Sequence, residues 1–252
     1  MQFEVDGPVA TVTLNRPAKL NAITSAMTAL LEEAVLRCNV SDDIRCVILT
    51  GAGERAFCVG SDIRALDEYD SAWRFRNRRD YCDVLRGLGK PSICAINGYA
   101  FGGGLEAALC CDILIAGAQA QFAAPEIKLG WIGGGGMAAQ LSHSIGGSNA
   151  AFMIMTGDSI GAQQMLAWGL VSEVWPAAEL QSRARTLAAI IASRAPIAAE
   201  SARLNLRAAR SMPLDQAMEY ERDLQAICFA TEDALEGRRA FAEKRTPRFR
   251  RR

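Results

Sequence analysis

A single histidine, His143, stands in a chain of 252 residues, and that scarcity removes much of the common catalytic repertoire. A nucleophile–histidine–acid triad or a histidine-rich zinc site would have to rest on it alone. No Cys-x-x-Cys spacing occurs, and the adjacent Cys110 and Cys111 suit packing better than ligation. Net charge is missing too: 28 Lys and Arg balance 28 Asp and Glu, which argues against a nucleic-acid or anionic-membrane partner. No apolar run approaches the ~20 residues that a membrane span needs. Met1 to Leu14 alternates apolar and polar residues rather than forming a secretory leader. A Walker-type phosphate loop is excluded because Pro91 follows Lys90. These absences leave small molecules and further copies of the chain as the expected partners, with the cytoplasm as the expected location.

What is present points to an α/β fold. Half of the residues are hydrophobic, enough for a sizeable core, and the eight cysteines sit mostly in apolar runs, where they read as small buried thiols in a reducing compartment. Asp6-Gly7 ahead of the alternating Val9 to Leu14 predicts a β-hairpin. Met27, Leu30, Leu31, Ala34 and Val35 recur at helical spacing behind the capping residues Thr24 and Ser25. Short apolar runs at Cys46 to Leu49, Ile93 to Ile96, Ile113 to Ile115 and Leu170 to Val174 read as buried parallel strands joined by helical crossovers. From Pro176 onward strands disappear. Leu214, Ala217, Met218, Leu224 and Cys228 mark one of several apolar helix faces, which must cap the sheet or meet another subunit. The tail from Arg245 to Arg252 holds five arginines and reads as solvated.

Two glycine turns carry the chemistry. Gly51-Ala52-Gly53-Glu54-Arg55-Ala56 fits a dinucleotide pattern after a strand, yet Phe57 to Gly60 breaks the helix it would need, so a plain turn is expected. Ala56 to Ile63 instead closes a strand and opens a short helix with a backbone N–H near Ser61 turned outward. After the strand Ser92 to Asn97, Gly102-Gly103-Gly104 begins a helix whose first N–H groups are free and closely approachable. Two such donors, aimed at one oxygen, are what a thioester needs as it gains enolate charge, and each is worth ~2.7 to 4 kcal/mol of barrier. Glu106 lies one turn into that helix, and Glu126 follows in Ala124-Pro125-Glu126-Ile127. Two acids in apolar surroundings can split acid and base roles. Read singly, each has a blander role: dipole stabilisation for Glu106, a solvated turn for Glu126.

Taken together, Lys90 to Asp112, Gln121 to Gly130 and Ala56 to Ile63 resemble the signatures of the crotonase, or enoyl-CoA hydratase/isomerase, superfamily. Asn15-Arg16-Pro17 with Leu20-Asn21-Ala22 resembles its N-terminal signature, and Phe229 to Asp233 with Phe241 to Phe249 its C-terminal one. The resemblance spans nearly the whole chain and is closest to an enoyl-CoA hydratase, a hydro-lyase. It implies a spiral of β-β-α units over residues 1–190 and a helical trimerisation region over residues 191–252. It implies an oxyanion hole from the N–H groups of Ser61 and Gly103, with Glu106 positioning and activating water and Glu126 exchanging the α-carbon proton. CoA contacts are implied for Lys19, Ala22 and Arg64, and from a neighbouring subunit for Phe241 and Lys244; Lys19 and Arg64 also suit a solvated surface. Trp131 and Gly134 are implied to border the acyl pocket, although a tryptophan more often fills core. The expected assembly is a homotrimer or a dimer of trimers. No metal or redox cofactor is expected, CoA being part of the substrate. A specialised dehydratase, an isomerase or a weakly catalytic acyl-CoA binder of the same family is the alternative.

Two departures from the family pattern stand out. Ser61 replaces a common alanine and brings a hydroxyl to the carbonyl site. Gly133 to Gly136 replaces a turn that usually holds Pro and Thr, and four glycines should loosen it. The arginines of Trp73 to Arg79 read as a solvated helix face, with an acidic acyl chain as the alternative.

Overall fold

The computed structural model describes residues 1–66 and 69–252. Strands β1 (Gln2–Asp6) and β2 (Val9–Leu14) form the antiparallel hairpin, with Gly7 at φ +54° in its turn. Helix α1 (Ser25–Val40) follows, its Met27 N–H donating to the Thr24 hydroxyl. The chain then repeats one theme. A long strand enters a large sheet, a short strand enters a second sheet, and a helix returns. The first turn of the spiral is β3 (Cys46–Gly51), β4 (Ala56–Cys58) and α2 (Ile63–Leu66), with α3 (Ala72–Arg76) and α4 (Tyr81–Arg86) appended. The second is β5 (Ser92–Ile96), β6 (Tyr99–Phe101) and α5 (Gly103–Leu109). The third is β7 (Ile113–Gly117) and β8 (Gln121–Ala123), followed by a 3-10 turn at Pro125–Leu129, α6 (Met137–Ile145) and α7 (Gly147–Thr156). After β9 (Ile160–Gly161), α8 (Ala162–Ala167) and β10 (Glu173–Trp175) come α9 (Ala177–Ala192), α10 (Pro196–Ala208), α11 (Leu214–Phe229) and α12 (Glu232–Ala242).

The large sheet runs β1-β2-β3-β5-β7-β10 and the small one β4-β6-β8-β9. In the large sheet β2, β3, β5, β7 and β10 are parallel, and the inner strands β3 and β5 are buried at every position, as parallel strands covered on both faces should be. Alternation along β3 divides its side chains between two cores. Cys46 and Ile48 meet Leu180, Ala184, Ala188 and Ala192 of α9, while Val47 and Leu49 join Leu31, Val35 and Cys38 of α1. Small alanines on α9 let that helix lie close on the sheet. The helices beyond the expected division at residue 190 are α10 to α12.

Two expectations change. The strand expected over Leu170 to Val174 is displaced to β10, because the N–H groups of Leu170 and Val171 turn back to the Met165 carbonyl and finish α8 instead. The arginine tail is not solvated throughout. The Arg250 and Arg251 N–H groups donate to the Asp233 carboxylate, and the Phe249 carbonyl accepts from Arg45. Arg251 pairs with Asp42 and with Glu200, which also holds the buried Lys90 ammonium at 3.1 Å. Seven of the eight cysteines are buried as expected, and Cys228 is half-buried. Among the described residues, no helix is long and apolar enough to cross a membrane.

Candidate active site

The small sheet gathers the site. Strands β4, β6 and β8 lie side by side and parallel, so the segments leaving their carboxyl ends emerge together. β4 is followed by Gly60-Ser61, β6 by Gly102-Gly103 and α5, and β8 by Ala124-Pro125-Glu126. Clefts at the carboxyl ends of parallel strands are the usual place for ligands in such sheets.

Ser61 is fixed from the N-terminal signature. Asn21, in the left-handed region at φ +58°, donates its amide to the carbonyls of Ala52 (3.0 Å) and Ala56 (2.8 Å), while Arg16 pairs with Asp62 at 2.6 Å. That pairing holds the Asp62 carboxyl below its usual range. Ile23 forms an isolated parallel bridge with Ser61, its N–H donating to the Gly60 carbonyl and its carbonyl accepting from the Asp62 N–H. Because the flanking residues make those bonds, the Ser61 N–H faces the opposite way, and among the described residues it finds no backbone acceptor. The Gly103 N–H is likewise one of the orphan donors at the start of α5. The two turns touch: a Cβ on Gly60 would stand 2.9 Å from the Gly103 nitrogen.

Both glutamates are buried beside these turns, at 5% exposure for Glu106 and 9% for Glu126. Glu106 Oε1 accepts from the N–H groups of Gly135 (2.7 Å) and Met137 (3.2 Å). Burial pushes its carboxyl above the ordinary range, those two N–H groups oppose the rise, and the charge of Glu126 adds to it. Burial also raises Glu126, whose Oε2 has no hydrogen-bond partner among the described residues. Its Oε1 lies 2.7 Å from where a Cβ on Gly102 would be, so this glycine is required by close approach as well as by its φ of +54°. The solvated-turn reading of Glu126 therefore fails, while Glu106 does stand in the first turn of α5.

The glycine turn is anchored rather than loose. A Cβ on Gly133 or Gly135 would stand 2.7 Å from one or other Glu106 oxygen, so the missing side chains make room for a carboxylate that the turn itself holds. Gly134 is exposed, and so is Trp131 at 43%, so the tryptophan does not take the alternative role of filling core. Ala22 is buried next to the Ile23–Ser61 bridge, whereas Lys19 and Arg64 are exposed on the two segments that this bridge joins. Phe241, 87% exposed, and Lys244 stand on α12 and the turn after it, which packs against α11. Within one chain α11 buries only Ala217 of its expected apolar face, leaving Leu214 and Met218 exposed. The Gly51 turn closes tightly, a Cβ there standing 2.7 Å from the Ala56 carbonyl oxygen, and β4 follows it as expected.

Tyr81, the first residue of α4, has no sequence signal. It is buried, and its hydroxyl lies 3.3 Å from Ser61 Oγ and is the nearest atom to where a Gly103 Cβ would be. Burial drives its phenol well above the usual range, so it stays protonated. The N–H groups of Gly135 and Met137 were equally invisible, since no side chain marks them.

A family model described as "Enoyl-CoA hydratase/isomerase" matches residues 4–252. The chain belongs to that family. Among its relatives, the "(E)-benzylidenesuccinyl-CoA hydratase" of Thauera aromatica is 39% identical, covering 98% of each chain. The "2,3-dehydroadipyl-CoA hydratase" of Escherichia coli is 38% identical over 96% of this chain and 94% of its own. In three dimensions, an enoyl-CoA hydratase from Bacillus anthracis superimposes with a TM-score of 0.94 at 33% identity, covering 100% of this chain and 99% of that one. The family fold, two sheets wound from β-β-α units, is thus the fold of this chain, and the chain is an enzyme of the hydro-lyase kind for which these relatives are named.

Proposed function

We propose that this enzyme adds water reversibly to a 2-enoyl-CoA, giving a 3-hydroxyacyl-CoA. The observation that carries this reading is the meeting of two buried, raised-pKa glutamates with two unspent backbone donors at the ends of β4, β6 and β8. In the proposed reaction the N–H groups of Ser61 and Gly103 hold the thioester oxygen and stabilise it as the enolate develops. Glu106, fixed by the glycine turn, orients a water and accepts its proton as the oxygen bonds to C3. Glu126 delivers a proton to C2, and both additions take place on one face. The reverse direction exchanges the roles of acid and base.

Lys19, Ala22 and Arg64 are proposed to meet CoA, and Phe241 and Lys244 to complete its site from a neighbouring copy. Trp131 and Gly134 are proposed to border the acyl group. The exposed Leu214, Met218 and Phe229 support association into a homotrimer or a dimer of trimers. The test is hydration of crotonyl-CoA by the purified protein, followed as loss of the conjugated thioester's ultraviolet absorbance together with formation of 3-hydroxybutyryl-CoA. Absence of turnover on crotonyl-CoA and on longer enoyl-CoAs overturns the reading.

A further inference from the structure

Beside Ser61 and Tyr81 opens a cavity of about 300 Å³, mostly apolar in its lining but with four charged residues set into it. These are Arg78 and Arg79 with Asp80 and Glu32. The arginines of this region differ in what they do. Arg74 pairs with Asp70 and is well exposed, which is the solvated behaviour expected of the segment, while Arg79 stands at the exposed rim of the cavity, committed to Glu32. Arg78 is turned inward, its side chain only 20% exposed. Its guanidinium lies 4.1 Å over the Phe75 ring, donates to the Phe75 carbonyl at 2.8 Å and meets Asp80 Oδ2 at 2.9 Å. The other Asp80 oxygen is committed to the Cys82 N–H as the cap of α4, so Asp80 fixes both the helix and the guanidinium.

Arg78 Nη2 also lies 3.9 Å from where a Cβ on Gly134 would stand, against the turn that holds Glu106. One guanidinium therefore borders both the cavity next to Ser61 and the glycine turn over the water-activating acid. A guanidinium has five N–H donors, and these bonds use two of them. An apolar acyl tail driven against it would strip water from the remaining donors and return nothing. A carboxylate would instead find the planar fork that arginine offers to two oxygens.

We propose that the acyl group accepted by this enzyme carries a carboxylate of its own, held by Arg78. This rests on the reading that the cleft at Ser61 and Gly103 receives an acyl-CoA, and it adds the class of acyl group. The test is binding, by calorimetry on the full-length protein, of saturated acyl-CoAs that cannot be hydrated: succinyl-, glutaryl- and adipyl-CoA against butyryl-, valeryl- and hexanoyl-CoA.

At least one carboxylated member should bind on the order of tenfold more tightly than its neutral partner. Arg78→Gln should bring that ratio to one or below. Arg74→Gln, which removes the same charge from the same segment but outside the cavity, should keep it. Equal or tighter binding of the neutral member in all three pairs overturns the proposal, and this needs only the unmodified protein. It is also overturned if Arg78→Gln keeps the ratio or if Arg74→Gln abolishes it. A protein that discriminates in binding but hydrates no enoyl-CoA sinks the hydratase reading and leaves this one standing. A protein that hydrates crotonyl-CoA without discriminating does the reverse.

Discussion

The glutamates are proposed to act through protons, so their substitution should separate rate from binding. Glu106→Gln and Glu126→Gln are each expected to lower kcat by at least ~100-fold with little change in acyl-CoA affinity, measured by steady-state hydration and by calorimetry. Their burial has a second consequence. Both folded-state pKa values are raised, so the stabilisation tied to the protonated form is complete below the ordinary glutamate range and is lost as pH rises through the folded value. Above that value the protein carries the cost of burying charge. Glu126, whose Oε2 is unpartnered, should show this best. Glu126→Gln is expected to raise Tm at pH 8 by on the order of 2 °C, with the gain shrinking toward pH 4. A Tm difference that stays constant across that range removes the argument.

Among the elements, the glycine turn before α6 is the most exacting. Gly135 has no room for a methyl group beside Glu106, and its N–H is one of that carboxylate's two donors. Gly135→Ala should therefore cost ~1 to 3 kcal/mol of stability by overpacking and lower kcat more than it raises KM, checked by denaturant unfolding and hydration kinetics. Much at this scale was readable from the chain alone. The hairpin at Asp6-Gly7, the Thr24 cap of α1, the apolar runs of β3, β5 and β7 and the glycine start of α5 each follow from a local pattern with one physical solution. What escaped was non-local. The strands β6 and β8 are three residues each, too short for alternation to register, and the end of α8 takes the donors that would have begun a strand at Leu170. The same holds for the site: the glutamates and the two turns announce themselves by composition and order, whereas Tyr81 and Arg78 acquire meaning only when α4 and the segment before it are brought against Ser61.

For the whole molecule, the apolar residues left uncovered on α11 and α12 predict assembly. Sedimentation equilibrium is expected to give three or six times the chain mass of 27.1 kDa. Leu214→Asp combined with Met218→Asp should lower that mass and reduce activity together, since residues from a second copy are proposed to complete the CoA site. The folded-back tail makes a separate prediction. Removing residues 249–252 releases the Arg251 pairs to Asp42 and Glu200, frees the Asp233 carboxylate and leaves the buried Lys90 with one fewer restraint. Calorimetric unfolding should show a lower Tm, because a deeply buried ammonium tolerates little slack in its counter-ion.

The parallel pairing of β4 with β6 sets a length scale. Neighbouring strands lie about 4.8 Å apart, and a single oxygen bridging two N–H groups at ordinary hydrogen-bond distance spans about the same gap. The sheet thus works as a ruler for the proposed donors. Loops beyond its carboxyl edge can be rebuilt for different acyl groups without recalibrating it.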